Sequence, residues 1–262
     1  MDSTIELLLN RRTHRSFKDQ PISKEHLKIL KEATLRAPTA GNMLLYSVIE
    51  VKDQKKKELL AEYCDDQSFI AKAPLVWLFV SDARKWANYY KLSGSIEKGL
   101  KEGIEFRNLG AGDLLLANSD AIIAAQSSVV AAEALGIGSC YIGDILEEYE
   151  KVKELFELPK YVSVATLVVY GYPKSTAPLL EKSIRPPSES VFMEDRYFDF
   201  GLKELEVAYG KQEEKLRRQK RLPFENQGTI SDYFYFRKHI SEFMEEMNRS
   251  SKELIKDWID LE

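Results

Sequence analysis

The sequence of 262 residues has few cysteines and histidines, two and three respectively. Cys64 and Cys140 stand far apart, without a CxxC pair or a histidine cluster beside them. This pattern favours reduced, partly buried thiols in a cytoplasmic protein over a disulfide. It also provides no set of metal ligands at the usual spacing, so we expect no metal site.

Long apolar runs and a surplus of basic residues are also missing. The short apolar stretch 5–9 precedes the first basic cluster, which is not the order of a secretory signal. The longest apolar run is interrupted at 118–120 by Asn, Ser and Asp, short of the ~20 residues of a membrane-spanning helix. The formal net charge is −4, which argues against a nucleic-acid binder. We expect a soluble protein that binds neither membrane nor nucleic acid.

The first two thirds of the chain contain both helix and strand patterns. A helix capped by Ser23 ends before Pro38, and the apolar segment 113–136 predicts a long helix that is central or lies in a subunit interface. Three segments are typical of strands, the second so continuously apolar that both faces should be covered: YSVIEVK, APLVWLFVSD and YVSVATLVVYGYP. A glycine-punctuated segment, GIGSCYIGD at 136–144, follows the long helix and is assigned to neither a helix nor a strand. These elements indicate an α+β domain.

Two regions fall outside this pattern. Residues 88–112 contain five glycines and mixed charge, and we expect a mobile excursion there. The last part of the chain is charged and favours two helices, about 198–221 and 231–259. We predict a core of residues 1–192 that includes the excursion, and a helical extension of residues 193–262 that packs on the core or on a partner subunit.

Ile5, Leu8 and Leu9 share one face of a short predicted helix, and a basic cluster, NRRTHRSF, follows its end. Guanidinium groups bind two phosphate oxygens at once, and a hydroxyl can fill a third position, so Arg11, Arg12 and Thr13 suit a dianionic phosphate. The alternative is a solvated, salt-bridged helix end.

Four segments in order resemble the FMN-dependent nitroreductase family: RRTHRSFKDQPIS, ATLRAPTAGN, AAEALGIGSCYIGD and SIRPP. The resemblance is greatest to the branch of NADPH-preferring, oxygen-insensitive nitroreductases and flavin reductases. It implies a nitroreductase-like fold with a central, mostly antiparallel sheet flanked by helices. It also implies a homodimer with FMN sites at the interface, and NADPH or NADH as reductant.

The resemblance also assigns roles to individual residues. Arg11, Thr13 and Arg185 match positions that hold the FMN phosphate, and Arg12 matches a position that lines the cofactor. Arg15 matches the basic residue near flavin N1 and O2, where a fixed cation stabilises the negative charge left by reduction. Gln67 matches a side chain at the polar rim around N3 and O4, where an amide can donate and accept.

Two backbone segments complete the implied site. The loop Pro38, Thr39, Ala40 and Asn42 resembles one that reaches the flavin of the second subunit. The segment Tyr141, Ile142, Gly143 and Asp144 resembles one that runs along the flavin face, with the backbone of Gly143 near N5. A glycine-rich GIGSCYIG could also suggest a dinucleotide fingerprint, but it follows a helix where that motif follows a strand.

The chain departs from the family pattern at several positions. Leu44 and Leu45 follow the loop where many relatives have polar residues, and Ser183 stands where a lysine is frequent. Asp144 replaces a second glycine and adds negative charge close to the implied ring. We expect such changes to alter reduction potential and substrate preference.

The implied function is an NAD(P)H oxidoreductase of ping-pong type that reduces a small-molecule acceptor such as a nitroaromatic, a quinone or a free flavin. Alternatives are an FMN-dependent dehalogenase or dehydrogenase with residues 88–112 as a lid, and a flavin-binding sensor without turnover. The basic run KLRRQKR, 215–221, is either a solvated helix face or a site where Arg217, Arg218 or Arg221 meets the NADPH 2′-phosphate.

Overall fold

The computed structural model describes residues 3–174 and 183–259. Four strands form one sheet: β1 Tyr46–Glu50, β2 Leu75–Asp82, β3 Gly138–Ile142 and β4 Val162–Gly171. The helices are α1 Ser3–Asn10, α2 Lys24–Leu35, α3 Gln54–Tyr63, α4 Phe69–Lys72, α5 Arg84–Leu92, α6 Ser95–Lys101, α7 Ala111–Ala134, α8 Tyr149–Leu155, α9 Leu202–Arg218, α10 Pro223–Asn226, α11 Ile230–Phe234 and α12 Glu242–Lys256. Short 3₁₀ turns span Ala40–Asn42, Gly143–Leu146 and Ser188–Ser190, and a π turn spans Tyr235–His239.

The sheet has the order β1-β2-β4-β3, and each neighbouring pair is antiparallel. All residues of β2 are buried, as the continuous apolar run predicts. Residues 138–142 of GIGSCYIGD, which the sequence left unassigned, form β3 opposite the end of β4. The strand is only five residues long and punctuated by glycine, so its sequence carries little alternation from which to predict it.

Each face of the sheet is covered by its own core. On one face Val76, Leu78 and Val80 pack with residues of α3, α4 and α8. On the other face Leu75, Trp77 and Phe79 pack with residues of α2 and α7. This alternation of side chains along β2 makes three layers, with the sheet in the middle.

Helix α7 is the central helix of the second core, as predicted. Ala121, Ala125 and Val129 are fully buried against the sheet, and the Ser128 hydroxyl lies 2.6 Å from the hydroxyl of Tyr170 on β4. By length and composition α7 could cross a membrane, but the core helix of a water-soluble protein meets the same criterion. Its opposite face exposes four apolar side chains: Leu115, Leu116, Ile122 and Ile123.

Contacts divide the chain into two units, residues 1–176 with 246–262, and residues 177–245. In the first unit, residues that follow α12 pack on the core next to α8. Trp258 is 1% exposed, and its indole N–H donates to the Ser163 hydroxyl at 3.0 Å. Asp257 accepts hydrogen bonds from Lys153 at 2.6 Å and from the Tyr149 hydroxyl.

The predicted helix 231–259, whose first part belongs to the second unit, is divided. It begins with α11, whose Thr229 and Asp232 form a capping box, and the π turn interrupts it after Phe234. Ser241 then caps α12, since its hydroxyl accepts from the Met244 N–H. Residues 88–112, which were expected to be a mobile excursion, contain the end of α5 and the whole of α6.

Candidate functional site

The basic segment lies along the free edge of β3. Thr13 forms a parallel bridge with Ser139, and the His14 N–H donates to the Ser139 carbonyl at 2.9 Å. Further along, the Lys18 N–H donates to the Tyr172 carbonyl at 2.8 Å. Backbone hydrogen bonds thus join two of the motifs that were far apart in the sequence, NRRTHRSF and GSCYIGD.

Two glycines allow this close approach. A Cβ on Gly138 would lie 2.7 Å from the ring of His14, and a Cβ on Gly171 would lie 2.7 Å from Phe17. Both distances are shorter than carbon–carbon contact permits. Glycine is therefore required at both positions by the neighbouring side chains of His14 and Phe17.

The arginines of this segment form no ion pair among the described residues. Arg11 and Arg12 are half-buried and Arg15 is exposed, and within 3–174 and 183–259 no ion pair joins any of them to a carboxylate. The pKa of His14 is lowered by burial and then by the charges of Arg11 and Arg12. Partly buried cations without counter-charges favour an anionic ligand.

The side chains of β3 next to this segment are mostly inside. Burial raises the pKa of the Cys140 thiol, and the nearby Arg15 guanidinium opposes that rise. Both cysteines are free and buried, which agrees with the expected reduced thiols. Burial raises the pKa of Tyr141 to about 12, and its hydroxyl donates to the Gln126 side chain at 3.2 Å.

The end of β3 turns outward at Gly143. Ile142 is 1% exposed, so its side chain belongs to the core and only its backbone is available to a ligand. A Cβ added to Gly143 would meet nothing within 4 Å, because the backbone here faces open space. This arrangement allows a flat ligand to approach the Gly143 backbone closely.

Gln67 and Asp144, which the sequence placed in one site, are in contact. The Gln67 side-chain amide donates to Asp144 Oδ2 at 2.8 Å and to the Cys64 carbonyl at 2.8 Å. Both N–H groups of the amide are therefore used. The sequence left the amide free to donate and to accept, whereas the structure leaves only its oxygen for a ligand.

The loop 38–45 is held in another place, on α7. Asp120 accepts from the Ala40 N–H at 2.9 Å and from the Leu45 N–H at 3.0 Å, and the Thr39 hydroxyl accepts from the Leu44 N–H. Asp120 is 2% exposed. Sequence reasoning treated it only as an interruption of an apolar run, although a lone carboxylate on a buried helix face signals a structural bond.

The structure does not bring this loop to the basic segment of the same chain. Helix α1, which precedes Arg11, packs on α7, and the charge of Arg11 opposes the rise that burial causes in the pKa of Glu133 on α7. The loop is bound at Asp120, thirteen residues earlier on α7. At 1.5 Å per residue, the two positions are roughly 20 Å apart along the helix.

The remaining predicted residues belong to the second unit. Arg185 is exposed. Arg217 donates to the carbonyls of Asn226 and Gly228 and pairs with Glu213 at 2.9 Å.

The other two tail arginines differ from each other. Arg221 donates to the Tyr233 hydroxyl at 2.9 Å. Arg218 is exposed and makes no hydrogen bond or ion pair with any other described residue. Among the three candidates for a 2′-phosphate, only Arg218 therefore keeps its guanidinium free in the part of the chain that the structure describes.

Comparison with known proteins agrees with this arrangement. The chain is 32% identical over 197 residues to the FMN reductase (NADPH) of Bacillus subtilis, covering 75% of each chain. It is 29% identical to the oxygen-insensitive NADPH nitroreductase of Salmonella typhimurium, again over 75% of each chain. A crystal structure from Bacteroides fragilis, 27% identical, superposes with a TM-score of 0.83 and covers 97% of this chain and 98% of its own. The model of the Nitroreductase family matches residues 8–172, and the chain belongs to the nitroreductase family.

Proposed function

We propose that the protein is an FMN-dependent NAD(P)H oxidoreductase that reduces nitroaromatics, quinones or free flavins two electrons at a time. The observation that carries the proposal is the unpaired arginine segment bound to the edge of β3, next to a Gly143 backbone that faces open space. Two curated relatives are named an FMN reductase (NADPH) and an oxygen-insensitive NADPH nitroreductase, which supports the same reaction.

The residues of this chain fit FMN in charge and in shape. Arg11, Arg12 and Thr13 would hold the phosphate, because they supply a hydroxyl and two cations that form no ion pair with a described carboxylate. We assign Arg185 to the same phosphate and Arg15 to the N1 and O2 edge of the ring. When bound, FMN supplies the hydride-accepting chemistry, while these side chains bind it, orient it and stabilise negative charge.

The backbone and amide groups would orient the ring. Gly143 allows the chain to pass close to the ring face, and the Gln67 oxygen is the acceptor left for the ring N–H. We propose Tyr141, Ile142 and Asp144 as the neighbouring positions of this wall. The loop Pro38, Thr39, Ala40 and Asn42 is proposed to complete the site of a partner subunit.

A homodimer is part of the proposal. The loop is roughly 20 Å from the basic segment of its own chain, as judged from the rise of α7, so a second copy is needed to bring it to a flavin. Exposed apolar side chains on α1 and α7 support such an interface; they are Ile5, Leu8, Leu9, Leu115, Leu116, Ile122 and Ile123. We also retain the core 1–192 and the extension 193–262 as a proposed division, and a cytoplasmic location, which the two free thiols support.

The test begins with the colour of the purified protein. Bound FMN should give a yellow protein that bleaches on anaerobic mixing with NADPH and recolours when a nitroaromatic is added. A yellow protein that never bleaches would identify a non-catalytic flavin sensor. A protein that binds no flavin would contradict the proposal.

The phosphate site is tested by substitution. Arg11→Ala and Arg185→Ala should each weaken FMN binding by about 1.5–3 kcal/mol, the size of a lost charge-assisted hydrogen bond. Arg249→Ala is a matched control, because that guanidinium is already paired with Glu150 at 2.6 Å. Equilibrium dialysis showing unchanged FMN affinity in both test variants would refute the assignment.

A further inference from the structure

The orientation of the Gln67 amide is fixed by the two groups that it contacts. A backbone carbonyl and a carboxylate oxygen only accept hydrogen bonds, so the atom that faces the Cys64 carbonyl and Asp144 must be the nitrogen. The usual ambiguity between amide oxygen and nitrogen does not arise here. Within residues 3–174 and 183–259, no group donates to the Gln67 oxygen. The amide therefore offers a ligand one acceptor and no donor.

The ring of a flavin is complementary to that acceptor at one point. Its pyrimidine edge has one N–H between two carbonyl groups, and only the N–H can bond to an amide oxygen. Without Asp144, the Gln67 amide would keep only the Cys64 carbonyl as an acceptor and could turn its second N–H toward a ligand. The carboxylate thus determines how Gln67 can meet the ring.

Asp144 also brings charge to this position. It forms no ion pair with a cation in the part of the chain that the structure describes, and it adds to the like charges that raise the pKa of Glu147 after burial. Its charge and that of Arg15 act in opposite senses on the pKa of Cys140. The candidate site therefore has a cation and an anion that both act on one β3 residue.

We propose that Asp144 is a positioning residue that holds Gln67 with its oxygen toward the flavin imide N–H and that its carboxylate lowers the flavin reduction potential. This inference rests on the proposed function. Reduction adds negative charge to the flavin, and a fixed carboxylate nearby makes the reduced form less stable relative to the oxidised one. Asp144 thus acts against Arg15 and tunes the potential downward.

The experiment compares three variants of the full-length FMN-loaded protein by redox titration and by FMN affinity. Asp144→Asn removes the charge but keeps an oxygen that can accept from Gln67. Reduced FMN should then bind about tenfold more tightly relative to oxidised FMN, which is a rise of about 30 mV for a two-electron couple. The affinity of the Asp144→Asn variant for oxidised FMN should change little. Asp144→Ala loses the bond as well, and oxidised FMN should bind about tenfold more weakly.

Asp65→Asn is the matched control for charge. Asp65 is another carboxylate near Glu147, but it makes no bond to Gln67 and is exposed. It should raise the potential less than Asp144→Asn and leave the affinity for oxidised FMN unchanged.

A double-mutant cycle tests whether Asp144 acts through Gln67. The effects of Gln67→Ala and Asp144→Ala on the affinity for oxidised FMN should be non-additive. The first variant removes the amide, and the second removes the bond that orients it. Additive losses of affinity, or an unchanged flavin reduction potential in Asp144→Asn, would overturn the inference. In that case, a native protein that is yellow and can be reduced still supports the proposed function. A native protein without bound FMN would instead remove the proposed function.

Discussion

Asp120 provides the sharpest test of how the fold supports the candidate site. Asp120 is 2% exposed, and its carboxylate accepts from the N–H groups of Ala40 at 2.9 Å and Leu45 at 3.0 Å in the loop 38–45. A hydrogen bond to a charged group contributes about 1.5–3 kcal/mol, so two of them contribute about 3–6 kcal/mol. Asp120→Ala also gains up to about 0.7 kcal/mol of helix propensity and removes the cost of a buried charge. We expect a net loss of about 2–4 kcal/mol in the free energy of unfolding.

The loop itself should relax in this variant. Gly41, Asn42 and Leu44 have positive φ angles, and for a leucine this conformation is unfavourable by about 1 kcal/mol or more. Without Asp120, the N–H groups of Ala40 and Leu45 lose their common acceptor, and the loop is held less firmly against that strain. If the loop completes the site of a partner subunit, FMN affinity should fall together with stability.

The assay is urea unfolding at one fixed protein concentration, with FMN affinity measured in parallel. Ser119→Ala is the matched control, because Ser119 lies next to Asp120 on α7, is exposed and bonds only to the Leu115 carbonyl. It should stay within about 0.5 kcal/mol of the native protein. An unchanged urea midpoint for Asp120→Ala would refute the argument that this carboxylate anchors the loop.

Three further predictions concern other parts of the chain. Trp258→Ala should lower stability by about 3–5 kcal/mol in urea unfolding, because it empties a buried site in the core; Trp258→Phe should cost less. Arg218→Ala should raise KM for NADPH at least about tenfold without changing KM for NADH. Arg217→Ala should instead reduce stability, because this arginine bonds within the protein. Equal changes in KM for the two coenzymes would contradict the role of Arg218. In an NMR titration, FMN phosphate should raise the pKa of His14, which burial and two guanidinium groups lower in the free protein. The free protein should lose stability as pH falls from about 6.5 toward that lowered pKa, because the unfolded chain takes up the proton first.

Local patterns in the sequence were sufficient for the elements with strong periodicity. The Ser23 cap of α2 is present, with its side chain accepting from the His26 N–H, and the three predicted strands are β1, β2 and β4. Helix α3 was not predicted, although Asp53 caps it, because its first half is charged and its apolar pattern is short. The break after Phe234 was missed because a π turn has no common sequence signal.

The candidate site was harder to predict because its geometry depends on backbone segments that are far apart in the sequence. The bridge between Thr13 and Ser139 pairs two segments without an intervening hairpin, and no local pattern specifies it. The requirement for glycine at 138 is visible only when the His14 ring is in place. Resemblance to a family supplied the residues, whereas the structure supplied the hydrogen bond between Gln67 and Asp144.

The two halves of the candidate site are separated for a physical reason that involves α2. This helix has 12 residues, so it is about 18 Å long at 1.5 Å per residue, and it packs on α7. The chain leaves the basic segment, continues as α2, and delivers the loop to Asp120. The length of α2 therefore keeps the two segments apart. Because the basic segment is bound to the edge of β3 and the loop to α7, their separation is built into the monomer, and in the proposed homodimer a second copy brings a loop to a flavin bound at the arginines.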